Sequence, residues 1–287
     1  HTHTIVDNQA PNPGNLTYFP EYLQEAGYQT AFFGKWHMGD DSDDPQPGFH
    51  HWESFKGQGV YTGVTLNING EHTSYEDTVY TSDLLTEHAV EWMEQLESDQ
   101  PFFVYLSHKA VHSEFKQAAR HAGMYAGVDY ELPATYSQTQ DGSYKELLWP
   151  EWVKQQRHSW HGVDYMYHAK GAVGDLVIDY CETLMGVDES IGTVMAYLEA
   201  RGIADETVVI YMGDNGFSWG EHGLIDKRHF YEESAKVPLL VTCPKLFEGG
   251  ETLHSLVQNI DIAPTIMAMS GLDKKPEMHG DSFLPLL

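Results

Sequence analysis

Lys35 and His37, in "FFGKWHMG", are separated by one residue and follow directly on an apolar run. A second group, His108, Lys109 and His112, follows "PFFVYLS". A third sets an acid and an amide, Asp214 and Asn215 in "VVIYMGDNG", ahead of His222, Lys227 and Arg228. Asp214 and Asn215 offer hard oxygen ligands, suited to calcium or magnesium rather than to a soft metal. Alone, an Asp-Asn-Gly most often makes a turn. With lysine and histidine nearby, the same donors describe a site for an anionic oxygen centre. Such a site stabilises charge that develops on a transferring sulfuryl or phosphoryl group. The chain has only 16 lysines and arginines among 287 residues, so their meeting strand ends three times favours a functional reading over an incidental one. A zinc site on His108 and His112 needs a third ligand that the sequence does not identify. The stretch "RHSWHGVDYMYHAK" from Arg157 to Lys170 fits a sugar subsite and interdomain packing equally well.

These groups need elements to position them. Thr17 is expected to cap a helix running through Glu25, with Gly27 ending it. Gln29 to Phe33 reads as a strand, and the Gly-, Pro- and Asp-rich segment from Asp40 to Asn69 as loop with at most a short hairpin. Leu84, Leu85, Ala89, Trp92, Met93 and Leu96 recur at helical spacing between Tyr80 and Leu96. "PFFVYLS" reads as a buried strand. Residues 113–158 are polar and irregular and are expected to be a substrate-side insertion: excursions of this length usually carry binding rather than core. Asp175 to Ala200 is helical, with a break or bend expected near Gly186. Strands follow at 207–212 and 237–242, and a helix after Asp261. Strand alternating with helix implies an α/β fold, a doubly wound and mostly parallel sheet flanked by helices. Ligands bind beyond the carboxyl ends of the strands in such sheets, where all three groups lie. Lys35 and His37, two apart, point to one side if the chain stays extended. Trp36 between them reads as a core anchor.

Composition narrows the classes. Forty-three acidic residues against 16 basic ones give a net charge of −27, which excludes the basic face a nucleic-acid binder needs. No apolar run reaches membrane-spanning length. The two cysteines, Cys181 and Cys243, make no metal or redox spacing; the default is two buried thiols, with one disulfide as the alternative. No signal peptide opens the chain, and its first residue is His1, not Met.

Several ordered motifs resemble one family. "GYQTAFFGKWHMG" looks like the second signature of the formylglycine-dependent (type I) sulfatases of the alkaline phosphatase superfamily. "YLEARGIADETVVIYMGDNG" is similar to the helix and strand leading to their Asp-Asn calcium ligands. "GEHGLIDKRHFYEESAKVPLLV", "DIAPTIMAMSG" and "HGDSFLPLL" resemble the segments that follow. The resemblance implies Asp214 and Asn215 as calcium ligands, and Lys35 and His37 as the pair contacting the sulfate and the nucleophile. It implies His112 as the group that helps protonate the leaving oxygen and Lys227 as a second lysine on the sulfate. His222, Arg228 and Lys109 are implied as substrate-side residues. The "GEHGLIDKR" form is most similar to sulfatases of sulfated sugars, 6-O-sulfated glucosamine or algal polysaccharides. Family habit places such proteins in the periplasm or outside the cell. The departure is the nucleophile. No Cys or Ser here stands in Cys/Ser-x-Pro-x-Arg, and the paired aspartates of the family's first strand have no match. The expectation is therefore a central and C-terminal part of a sulfatase catalytic domain, residues 1–287, incomplete at both ends, with the nucleophile segment and C-terminal subdomain outside it. Lys35, His37, His112 and Lys227 are then expected in one pocket. Alternatives are a phosphonate or phosphodiester hydrolase of the same superfamily and a non-catalytic protein that binds sulfated glycans.

Overall fold

A computed structural model of the chain describes residues 5, 7, 9, 10, 12–39, 42–136, 150–166 and 171–287. Its elements, in chain order, begin with α1 (Phe19–Glu25), β1 (Gln29–Lys35), β2 (His51–Phe55), β3 (Thr65–Ile68), β4 (Glu71–Ser74), α2 (Thr81–Glu94) and β5 (Phe102–Ser107). They continue with α3 (Glu151–Gln155), α4 (Val173–Ala200), β6 (Val209–Met212), β7 (Ser218–Trp219), β8 (Ile225–Asp226), α5 (Glu232–Ala235), β9 (Leu239–Thr242) and α6 (Ile262–Met269). Two compact units result. The first holds residues up to His112, Gly186–Ile203 and Phe247–Leu287; the second holds Ser113–Met185 and Ala204–Leu246.

The first unit is built on a five-stranded sheet of order β4-β3-β2-β1-β5. β1 pairs in parallel with both β2 and β5, while β2–β3 and β3–β4 are antiparallel. The sheet is therefore mixed, a parallel block carrying an antiparallel hairpin. Five consecutive residues of β1, Thr30 to Gly34, are buried, as a strand covered on both faces requires. Side chains alternate across it. Ala31 and Phe33 join Leu84, Leu85 and Ala89 of α2 in one core cluster. Phe32 turns the other way, stacking on Trp52 at 4.6 Å and meeting Trp36 edge-on. Trp36 is thus the anchor its sequence position implied. Gly34 precedes the first cationic group and has a positive φ of 112°. A Cβ there would lie 1.9 Å from the Ser107 carbonyl oxygen, so only glycine lets β1 and β5 run this close before Lys35.

Three local expectations need correction. The segment from Asp40 to Asn69 is not only loop: β2 and β3 lie in it, with Trp52 and Leu66 almost wholly buried. Its glycines and prolines mark the bends between strands, not a lack of them. Thr17 does not cap α1; the N-cap is Tyr18, whose backbone N–H donates to the Glu21 carboxylate at 2.7 Å. Gly27 does end this helix, at a φ of 91°. Finally, α4 is not broken at Gly186. A Cβ there would meet Tyr80 Cε1 at 3.0 Å, so the glycine admits an aromatic ring against an unbroken helix.

The second unit contains two antiparallel pairs, β6–β9 and β7–β8. β6 is half-buried and covers 209–212 of the expected 207–212. Phe115, Tyr180, Phe217 and Trp219, all half-buried, pack their rings together in this unit. The expected insertion at 113–158 falls in this unit, with residues 137–149 outside the described set. Cys181 and Cys243 are both free thiols.

Candidate functional site

In the first unit, Lys35 is the last residue of β1, and His37 follows at a φ of 52°. The backbone therefore leaves the extended course that would have aligned the two side chains. A third residue brings them together. Lys35 Nζ donates to Gln58 Oε1 at 2.7 Å, and Gln58 Nε2 lies 3.3 Å from His37 Nε2. With the amide nitrogen as donor, His37 accepts through Nε2 and carries its proton on Nδ1. Gln58, in the exposed loop after β2, was not identifiable from sequence, because nothing local to it signals a partner 23 residues earlier.

The histidines and lysine after β5 take different environments. His108 Nε2 is 2.9 Å from Ser190 Oγ, which also accepts from Thr86 Oγ1 at 2.6 Å. Burial pushes the His108 imidazole down to about 4, with Asp83 offsetting only part of this. It is a neutral group held in the interior, and no cluster of three or more metal-ligating side chains occurs among the described residues. Lys109 is 7% exposed, with its ammonium 4.8 Å above the Tyr61 ring. His112 is half-buried. Its backbone N–H donates to Lys109 O at 2.9 Å, and its carbonyl accepts from the Tyr61 hydroxyl.

In the second unit, Asp214 and Asn215 follow the end of β6, and both are exposed. Asn215 Nδ2 donates to the Gly216 carbonyl at 2.8 Å, fixing the amide plane. The chemistry of this donor pair fits a hard cation. Calcium takes roughly six to eight oxygens, so two such residues alone fall short of a full shell. His222 has a φ of 57°, donates its backbone N–H to Thr135 Oγ1 at 3.0 Å, and stacks on Tyr231 at 4.1 Å. Lys227 and Arg228 follow β8. Arg228 Nη1 donates to both oxygens of the buried Asp226 at 2.8 Å, and His161 Nδ1 lies 2.9 Å from Asp226 Oδ2. Burial, aided by the Arg228 guanidinium, lowers the His161 pKa despite the Asp226 carboxylate. The stretch around His161 and Trp160 is thereby tied to the residues flanking Lys227.

Cationic groups thus follow the central parallel strand β1 of the first unit, and a hard-oxygen donor pair follows β6 of the second. The Sulfatase family profile matches residues 1–272, and the chain belongs to this family. It is 30% identical to an N-acetylglucosamine-6-O-sulfatase of Bacteroides thetaiotaomicron, over 100% of this chain and 60% of that protein. It is 28% identical to the human N-acetylglucosamine-6-sulfatase, over 100% of this chain and 54% of that protein. A solved structure in complex with its substrate, D-glucosamine-2-N,6-O-disulfate, superposes with a TM-score of 0.83 at 28% identity, covering 100% of this chain and 67% of that one. The chain thus spans about half to two thirds of the length of these relatives. Its fold is that of the alkaline-phosphatase-like sulfatases, an α/β sheet flanked by helices.

Proposed function

We propose that the protein to which this chain belongs hydrolyses sulfate esters on a sulfated carbohydrate, with 6-O-sulfated glucosamine as the substrate class. The observation that carries this reading is the likeness, over the whole chain, to a structure holding a glucosamine disulfate. In this reading Lys35 and Lys227 grip sulfate oxygens, each ammonium offering three donors as a compact charge. His37 accepts or donates beside them, and His112 delivers a proton to the leaving sugar oxygen. Lys109, His222 and Arg228 are substrate-side groups. Asp214 and Asn215 contribute two ligands to a calcium ion, which when bound neutralises charge on the sulfate. The formylglycine nucleophile implied by the family resemblance has no matching Cys or Ser motif among these 287 residues. The described parts of the segment 113–158, residues 113–136 and 150–158, are read as belonging to a substrate-side insertion. An exported location, periplasmic or extracellular, accords with the family; no described helix is long and apolar enough to cross a membrane.

The test is release of inorganic sulfate from 6-O-sulfated N-acetylglucosamine by the full-length protein, with and without calcium chelation. Calcium-dependent release is expected, with an aryl phosphonate turned over far more slowly. A preference for the phosphonate would replace this reading with that of a phosphonate hydrolase. Binding of the sulfated sugar without turnover would assign the protein to glycan binding.

A further inference from the structure

β8 ends on a residue whose backbone and side chain are both unusual. Asp226 has a φ of 149°, a region that costs a non-glycine residue about 1–3 kcal/mol and persists only where the surroundings over-determine it. Its side chain is 0% exposed, and a buried carboxylate is strongly disfavoured unless paired. Here the pairing is complete enough to hold it. Arg228 Nη1 donates to both oxygens at 2.8 Å, and His161 Nδ1 approaches Oδ2 at 2.9 Å. Backbone bonds converge on the same place. The Asp226 carbonyl accepts from Ser234 Oγ at 3.4 Å, and Asp226 pairs with Ser218 across the β7–β8 ladder. Ile225 N–H donates to His161 O at 3.0 Å, and Val163 N–H to Gly223 O at 3.2 Å. One carboxylate thus joins the loop around His161, the β7–β8 hairpin and the segment leading to α5. Lys227 sits between two members of this network, Asp226 and Arg228.

A turn alone needs no buried charge and no strained aspartate; glycine would make it without either. We infer that Asp226 is a positioning residue, which with His161 fixes the chain at Lys227 and aims Arg228 so that both cations are set for an anionic substrate group. This rests on the reading of Lys227 as a sulfate-contacting lysine. A lysine on a flexible four-carbon stem is aimed chiefly by where its Cα is held. Without the carboxylate nothing holds residue 226 at this φ: asparagine relaxes toward an ordinary value, glycine samples several, and in both the departure of residue 227 is no longer fixed. A displacement of roughly 1 Å at a positioned group is enough to lower a rate about a hundredfold.

The experiment uses the full-length, calcium-loaded protein and two variants. Asp226→Asn keeps the volume and removes the charge; Asp226→Gly accepts the observed φ without strain and removes the carboxylate. Readouts are kcat and KM on 6-O-sulfated N-acetylglucosamine, the inhibition constant of inorganic sulfate, and Tm. Both variants are expected to lower kcat/KM by about tenfold or more and to weaken inhibition by sulfate, well below their melting temperatures. Asp226→Gly is expected to do so even where it retains its Tm, which a purely structural role would not produce. If Asp226→Asn does not fold, His161→Gln removes one arm of the network and is expected to weaken sulfate inhibition by itself. Folded variants with kcat/KM and sulfate inhibition unchanged, whatever their Tm, would overturn the inference. Lys227→Ala separates the two levels. If it leaves sulfate inhibition and turnover intact, the reading of Lys227 fails. If it abolishes them while the Asp226 variants behave as wild type, only the positioning role fails.

Discussion

Replacing His88 by alanine should destabilise the first unit by breaking a buried ion pair. The Glu53 side chain is 2% exposed on β2, and His88 Nδ1 on α2 lies 2.8 Å from its Oε1, with His51 Nε2 at 3.6 Å from Oε2. Burial alone would raise the Glu53 pKa, but the His51 imidazole close by and the hydrogen bond with His88 overcome it and hold the carboxyl below its usual range. The hydrogen bond to Glu53 raises the His88 pKa above 6.5, against the opposing effect of burial; Glu91 and Glu87 on the same helix add to the rise. Tyr75 also faces the pair, its ring 5.8 Å from that of His88. Removing one partner of a buried pair costs about 3–5 kcal/mol; the low end applies, because His88 is 21% exposed and His51 remains. With an unfolding entropy of about 2.1 cal/mol/K per residue, 287 residues give roughly 600 cal/mol/K, so about 3 kcal/mol lowers Tm by about 5 °C at pH 6. Glu53→Gln leaves no uncompensated charge and should cost less.

The sign with pH follows from the directions of shift. His88 is raised, so its contribution is fully present below its unfolded value of 6.5 and fades as pH rises through the folded value. Glu53 is lowered, so its contribution is present above its unfolded value of 4.5 and fades as pH falls through the folded one. The gap in Tm between wild type and His88→Ala should be widest between those two values and shrink toward alkaline pH. Thermal unfolding followed by circular dichroism from pH 5 to pH 9 measures it. A gap that is absent at pH 6, or that does not shrink by pH 9, would refute the account.

Lys227→Ala should lower sulfate-ester turnover by about a hundredfold or more while moving Tm little, since a half-buried loop lysine outside the core clusters contributes little packing; equal losses of rate and stability would assign it a structural role. Gln58→Ala should leave Tm within about 1 °C and raise KM for the sulfated sugar by roughly tenfold, the worth of hydrogen bonds to charged groups; an unchanged KM would show that Lys35 and His37 need no bridge. Gly186→Ala gains about 1 kcal/mol of helix propensity but puts a Cβ 3.0 Å from the Tyr80 ring. The clash, about 1–3 kcal/mol, should win and lower the denaturant midpoint; a raised midpoint would mean that the ring moves aside freely.

Local physics made much of this chain legible. The apolar run before Lys35, the helical spacing from Leu84 to Met93 and the hydrophobic stretch before Asp214 each report a backbone period. That is why β1, α2 and β6 lie where those patterns put them, with charged groups beyond two of the strand ends. Motif order was equally local and was enough for the family. Tertiary structure alone decided which polar groups meet. Nothing near Gln58 marks it as the bridge between Lys35 and His37, and nothing near His108 marks Ser190, 82 residues away, as its partner. The same holds for Asp226 and His161, 65 residues apart in "DKR" and "SWHG". Hydrophobic periodicity specifies which face a residue takes, whereas a hydrogen bond needs two specific atoms within about 3 Å. That condition is met only when separate elements pack, so pairing and pKa are properties of the fold, and residue type and spacing are properties of the sequence.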